Sequence, residues 1–370
     1  MLREPASVQS DGPIVAPARR DFATLAGRLR SWLATRLLPG ARGGDSLRLE
    51  NLHYPRGAGQ SHETVLFDAV WPAGGRVHRR GLAVRIKPTS FTVFQDDMFV
   101  EQYHLMRILH DSGVVPVAEV LWIEDAPSVL GAPFFVMERL DGRVPVSIPS
   151  YMETGWVADA TPAQRAKLWR SGVTALARLQ QAPAEAVSFL TERGCGNGFD
   201  YEWDRWTRFL EFVSAGRPLP YQQLVRRQLT ETMPAHRPGG LVWGDARLGN
   251  LMFDDGFEVV AMMDWEQPSL GGPLQDLGWW LFNDRLKVNA GNGVRLLPGL
   301  GDRADTIALW GELTGIPTTD IDWFEAFAGF KMSCLLVRLM ALRGEQPPGG
   351  EWANITTARV LAELMQERFH

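Results

Sequence analysis

Apolar residues at Phe22, Leu25, Leu29, Trp32 and Leu33 recur at three- and four-residue steps and stop at Pro39-Gly40, which predicts an amphipathic helix starting near Ala18. Residues 1–17 carry no such period and read as a flexible arm. The period then changes. LRLENLHYP (47–55), VLFDAVW (65–71) and GLAVRIKP (81–88) read as three strands of a meander, separated by turn-rich segments at 56–64 and 72–75. A helix is predicted over 96–112, marked by Phe99, Tyr103, Met106 and Leu109 and closed by Gly113. Two more strands follow at 117–125 and 133–142. Beyond residue 145 the pattern is mainly helical, with helices predicted over 163–181, 201–215, 222–232, 323–343 and 352–369. One strand-rich island interrupts them at 241–266. A β-rich part followed by a helical part predicts an α+β chain of two lobes, 18–141 and 142–370.

Composition narrows the class. The 370-residue chain is 45% hydrophobic and 22% charged, an ordinary globular balance that excludes global disorder. A net charge of -5 argues against a general nucleic-acid binder, which needs a basic face. No apolar run approaches the roughly 18 residues of a membrane span, and the first twenty residues lack a signal core, so a cytoplasmic protein is expected. Cys195 and Cys334 cannot make a disulfide framework, and the histidines occur without metal-binding spacing. The 14 tryptophans either pack helical surfaces or line a pocket.

The chemistry concentrates in the island. Asp245 is followed after four residues by Asn250, in D-A-R-L-G-N, and Asp264 follows in M-D-W-E. A carboxylate can orient the proton of an attacking hydroxyl, while an amide oxygen and a second carboxylate can hold Mg²⁺ against nucleotide phosphates. A hairpin turning at Asp255-Gly256 would bring Asn250 and Asp264 together. Upstream, the loop R-G-A-G-Q-S-H at 56–62 could let backbone amides approach phosphates, and it is not a Walker A loop. Strand alternation points Ala83 and Arg85 to one face, a small residue beside a cation, with Lys87 the rival cation. Glu101 on the next helix could pair with Arg85. The apolar segment 134–142 ends in a polar linker that could present backbone groups to an adenine edge.

In this order the elements resemble the aminoglycoside phosphotransferase-like family of small-molecule kinases, in the branch related to the kinase-like domain of some acyl-CoA dehydrogenases. The carrying residues are V-W-G-D-A-R-L-G-N at 242–250, M-D-W-E at 263–266, G-G-P-L-Q-D-L-G-W-W at 271–280 and V-L-G-A-P-F-F-V-M-E-R-L-D-G at 129–142. The resemblance implies a protein-kinase-like two-lobe fold, ATP and Mg²⁺ as cofactors, and transfer of the γ-phosphoryl group to a hydroxyl of a small molecule, an aminoglycoside among the possibilities. It implies Asp245 as catalytic base and Asn250 and Asp264 as metal ligands. Gly57, Gly59 and Ser61 would cover the phosphates. Arg85 would touch them with Glu101 as its partner, and the backbone of Glu138 and Leu140 would face adenine. Asp276 would be a buried anchor of the catalytic loop. Two positions depart from the family pattern: Trp243 stands where His is usual, and Arg85 where Lys is usual. They motivate the alternative of a nucleotide-binding pseudokinase. The acceptor is expected between the catalytic loop and a helical insert at about 195–235, where Asp200, Glu202 and Asp204 alternate with Tyr201, Trp203 and Trp206; the acidic residues could attract an amine, and Trp203 and Trp206 are read first as packing the insert against the lobe.

Overall fold

A computed structural model of the chain describes residues 20–38, 46–55, 63–89, 92–96, 98–190, 198–289 and 294–369. The arm, the loop carrying Gly57, Gly59 and Ser61, and Cys195 lie outside the described residues.

Helix α1 (Phe22–Leu37) is started by Asp21, whose carboxylate accepts the Ala23 and Thr24 amides at 3.2 and 3.1 Å. Strands β1 (Arg48–His53), β2 (Glu63–Ala73), β3 (Arg76–Ile86), β4 (Val120–Glu124) and β5 (Phe134–Glu138) form an antiparallel sheet in the order β1-β2-β3-β5-β4. Strands β2 and β3 pair from Glu63–Ile86 to Ala73–Arg76, so β3 begins five residues before the predicted 81. The missed residues are Arg76, Val77, His78, Arg79 and Arg80, an exposed stretch with no buried side to produce an apolar alternation. The sheet is covered on both faces. Leu82, Val84, Ile86, Phe134 and Val136 meet Leu25, Leu29 and Trp32 of α1. The opposite face takes Phe135 against helix α2 (Phe99–Ser112), which Gly113 closes with φ 64°.

The core behind α2 continues without a break into the helical part. There α3 (Pro162–Arg178), α4 (Gly198–Ser214), α5 (Pro220–Glu231), the hairpin β6 (Leu251–Phe253) and β7 (Val259–Met262), α6 (Leu274–Asn289), α7 (Arg303–Thr314), α8 (Ile321–Leu342) and α9 (Thr356–Phe369) follow in order. The α+β, two-lobe, protein-kinase-like architecture is therefore as expected. Helices α6 and α7 had no predicted counterpart. In α6 every residue from Leu274 to Phe282 is buried, so no polar stripe reveals a helical period. The final helix starts at Thr356, four residues after its predicted start, because Trp352–Asn354 forms a separate short 3-10 turn. Among the described residues, no helix is long and apolar enough to cross a membrane.

Helix α8 is the axis of the helical lobe. Its buried Glu325 is held by Arg285 at 3.0 Å and Arg303 at 2.7 Å, and its buried Lys331 donates to Gln275 Oε1 at 3.0 Å. Helix α6 lies so close to α8 that a Cβ on Gly278 would sit 2.5 Å from the Phe324 carbonyl. Replacing Gly278 by Ala gains about 1 kcal/mol of helix propensity. Wedging the helices apart costs about 1–3 kcal/mol. Gly278→Ala should therefore lower the thermal unfolding midpoint, and a midpoint at or above that of the wild type would contradict this packing.

Candidate active site

The loop from Leu241 to Asn250 is pinned by backbone contacts. The Val242 amide donates to Ser269 at 2.8 Å, and the Trp243 and Gly244 amides donate to the two oxygens of buried Asp276 at 2.6 and 2.9 Å. Gly244 has φ 100°, and a Cβ there would meet the Gln267 carbonyl oxygen at 2.3 Å, so only glycine fits before Asp245. Trp243 is fully buried, and its indole donates to the Met263 carbonyl at 2.8 Å. The side chain at this departure from the family pattern thus packs and braces the loop.

Three donors fix the Asp245 carboxylate. Trp279 Nε1 reaches Oδ1 at 2.8 Å, Arg247 Nε reaches both oxygens at 3.1 and 3.0 Å, and Asn250 Nδ2 reaches Oδ2 at 2.7 Å. Arg247 is itself tied to Ser147 Oγ at 2.8 Å. The β6–β7 hairpin then does what its turn suggested. Leu251 pairs with Met262, and the Met263 amide donates to the Asn250 carbonyl at 2.9 Å, which sets Asp264 beside Asn250. Asp264 has φ 64°, a left-handed conformation that aspartate tolerates better than most residues and that is common at functional positions.

Across a cavity of about 260 Å³ lies the sheet. Ala83 and Arg85 both line it, and Lys87 does not, because β3 ends at Ile86 and the Lys87 amide is bonded to the Pro133 carbonyl. Arg85 Nη2 donates to Asp264 Oδ1 at 3.1 Å and also pairs closely with Glu266. From α2 it is Gln102 and Met106 that line the cavity, while Glu101 sits half-buried on the first turn. One helical residue is a rotation of about 100°, enough to exchange the two. Glu138 and Leu140 of the linker also line the cavity, and the Glu138 amide is already bonded to the Glu119 carbonyl at 2.9 Å.

The tryptophans of the insert pack against the lobe, as expected, and its acidic residues are engaged by neighbouring cations. Trp203 packs on Trp323 and Phe327 at 5.9 and 5.3 Å, and Trp206 is buried against Phe209 and Phe94. Glu202 is buried beside Lys331 and Arg205, and Asp204 pairs with Arg208. These acidic and aromatic residues of α4 are largely structural. Sequence reasoning missed Arg247, Glu266 and Trp279 as parts of the site. Each lies inside a quoted motif, but nothing in one dimension shows that they converge on Asp245 and Arg85.

The oxygens suit a hard divalent cation. Asn250 commits its amide nitrogen to Asp245, leaving its carbonyl oxygen as the donor atom toward a cation, beside the Asp264 carboxylate. Burial raises the Asp264 pKa to about 7, helped by the charges of Glu266 and Asp245 and opposed by Arg85. A cation there would relieve that crowding. Among the described residues no three His, Cys, Asp or Glu side chains cluster as a metal cage.

Residues 55–313 match the model of the phosphotransferase enzyme family, and the chain belongs to that family. It is 26% identical over 337 residues to acyl-CoA dehydrogenase family member 11 of Gallus gallus, covering 87% of this chain and 40% of that protein. The chain spans less than half the length of the curated relatives it matches. Among solved structures it resembles a candidate aminoglycoside phosphotransferase of Ralstonia eutropha, with a TM-score of 0.66 and 24% identity, covering 94% of this chain and 99% of the other. It also resembles a thermostable mutant of aminoglycoside phosphotransferase APH(4)-Ia in a ternary complex with ADP and hygromycin B, with a TM-score of 0.52 and 14% identity, covering 90% of this chain and 98% of the other. These two likenesses establish the fold.

The raised Asp264 pKa has a consequence for stability. An unfolded aspartate titrates near 3.9. Between that value and about 7, the folded protein holds a proton that the unfolded chain has lost, so the stability contributed at acid pH disappears as pH rises. Asp264→Asn removes this titration. In protein free of nucleotide and metal, its unfolding midpoint relative to wild type should climb between about pH 4 and pH 7 and level off above. An unchanged difference across that range would contradict the assignment.

Proposed function

We propose that this chain is a small-molecule kinase that transfers the γ-phosphoryl group of ATP, with Mg²⁺, to a hydroxyl. The observation that carries this reading is that Asn250, hydrogen-bonded to Asp245, and Asp264 line one end of a cavity whose other wall presents Ala83 and Arg85. Adenine would lie between Ala83 and Met252, against the backbone of Glu138 and Leu140. Asn250 and Asp264 would hold the ion, whose chemistry when bound is to neutralise and orient the phosphates. Asp245, held by Arg247 and Trp279, would orient the acceptor hydroxyl and accept its proton at a free carboxylate lone pair. Arg85 would leave Asp264 for the phosphate oxygens, where its planar fork matches their geometry. A soluble enzyme of the cytoplasm acting on a small molecule, without nucleic acid or membrane, fits this arrangement.

The acceptor is better sought among neutral or anionic molecules than among polycations. In α4, Glu202 is paired with Lys331 and Arg205, Asp204 with Arg208, and Asp200 lies near Arg237. Around Asp245 the cations Arg247 and Lys287 stand against the carboxylates of Asp264 and Asp284, so the surroundings are of mixed charge. Since the relatives bear the name acyl-CoA dehydrogenase, hydroxyacyl thioesters belong in the panel beside aminoglycosides and amino alcohols.

The test is ADP release over that panel with wild type and Asp245→Asn. At least one acceptor should raise ADP release by wild type, and the variant should lose about 10²–10⁴-fold in turnover while still binding ADP. Nucleotide binding with no turnover on any acceptor would favour the pseudokinase reading. Turnover that survives the substitution would place the chemistry elsewhere.

A further inference from the structure

We propose that Glu266 is a positioning residue that holds the Arg85 guanidinium at the phosphate end of the cavity and continues to hold it when Asp264 turns to a divalent ion. This inference rests on the kinase reading above and deepens it.

Arg85 Nη2 is shared between two carboxylates, Asp264 at 3.1 Å and Glu266. Both follow β7 in the same turn, two residues apart, so one segment of the helical lobe grips a cation on the sheet. The burial of the partners is graded. The side chain of Asp264 is 22% exposed, that of Arg85 13% and that of Glu266 8%. The outer carboxylate is the one placed to exchange partners, and the inner one is placed to stay. A buried cation that loses its counter-ion is strongly disfavoured, by several kilocalories per mole as a general rule. If Asp264 binds the ion, the guanidinium needs a carboxylate that the metal does not claim, and Glu266 supplies it. Helix α2 presents the amide of Gln102 to the same cavity. Its Oε1 is buried and has no hydrogen-bond partner among the described residues, leaving an acceptor ready for a donor that enters the cavity. The cation is thus anchored to the lobe that carries the catalytic loop, and its placement depends on the two lobes being closed on each other.

The experiment is calorimetric binding of ADP and of adenosine to the full chain, each in EDTA and with Mg²⁺, for wild type, Glu266→Gln, Glu266→Asp, Arg85→Gln and the Glu266→Gln/Arg85→Gln double variant. Arg85 acts on phosphates, so the proposal expects Glu266→Gln to weaken ADP about tenfold while adenosine affinity stays within twofold. Glu266→Asp should recover part of the loss, and it tests the same point if the glutamine variant does not fold. In the Arg85→Gln background the Glu266→Gln loss should vanish, because the interaction it removes is already gone. Equal losses for ADP and adenosine would overturn the proposal, since they would mark Glu266 as a support for the whole cavity. So would a loss that persists without Arg85, or unchanged ADP binding in Glu266→Gln. If wild type binds neither ligand, the nucleotide reading itself falls and this inference falls with it.

Discussion

The geometry of the site depends on one buried carboxylate. Asp276 stands on the first turn of α6 and accepts the amides of Trp243 and Gly244. A buried carboxylate without donors would be strongly disfavoured, so it fixes the position of whatever supplies them. Here the donors are backbone groups, and the loop is held whatever side chain stands at residue 243. This is why Trp243, in a position where histidine is usual in the family, alters the packing and leaves the anchor intact. The indole adds a bond of its own to the Met263 carbonyl, tying the loop to the hairpin that delivers Asp264. Helix α6 is fixed in turn by its close approach to α8 at Gly278, and one turn of it bears both Asp276 and Trp279, a donor to Asp245. The placement of the Asp245 carboxylate is therefore inherited from helix packing in the lobe behind it.

Much of this was legible in one dimension where a segment has two unlike faces. The alternation in β3 puts Leu82, Val84 and Ile86 toward α1 and Ala83 and Arg85 toward the cavity, as strand geometry requires. The hairpin could be read because Asp255-Gly256 sits between two short apolar runs, and its register brings Asn250 to Asp264. Reading failed where a segment has only one kind of face. Helix α6 is buried all round from Leu274 to Phe282, so its tryptophans and leucines show no period. The acidic residues of α4 read as a binding surface because residue type does not reveal a partner more than a hundred positions away. Glu202 looks like a solvent-facing carboxylate until Lys331 is seen beside it. The same limit separates Glu101 from Gln102. Both lie on the predicted helix, and only the rotation of that helix against the sheet decides which side chain enters the cavity.

The site also shows how charge is spent. Burial, with the nearby charges of Glu266 and Asp245 added to it, pushes the Asp264 carboxyl up to about 7. Such crowding opposes folding at neutral pH, and a structure shaped by stability alone would disperse it. Arg85 and Arg247 offset part of it, each from a different lobe and each on a different carboxylate. That division matters for chemistry. Arg247 binds the Asp245 carboxylate through both oxygens, so it fixes the direction in which the remaining lone pairs point. Arg85 is held by a single terminal nitrogen on Asp264, a contact that can be exchanged when a phosphate presents more oxygens. In the proposed reaction the base would be held rigidly, and the phosphate cation would keep Glu266 while exchanging Asp264. A transfer site needs that asymmetry, because its catalytic group must stay in place while its ligands come and go.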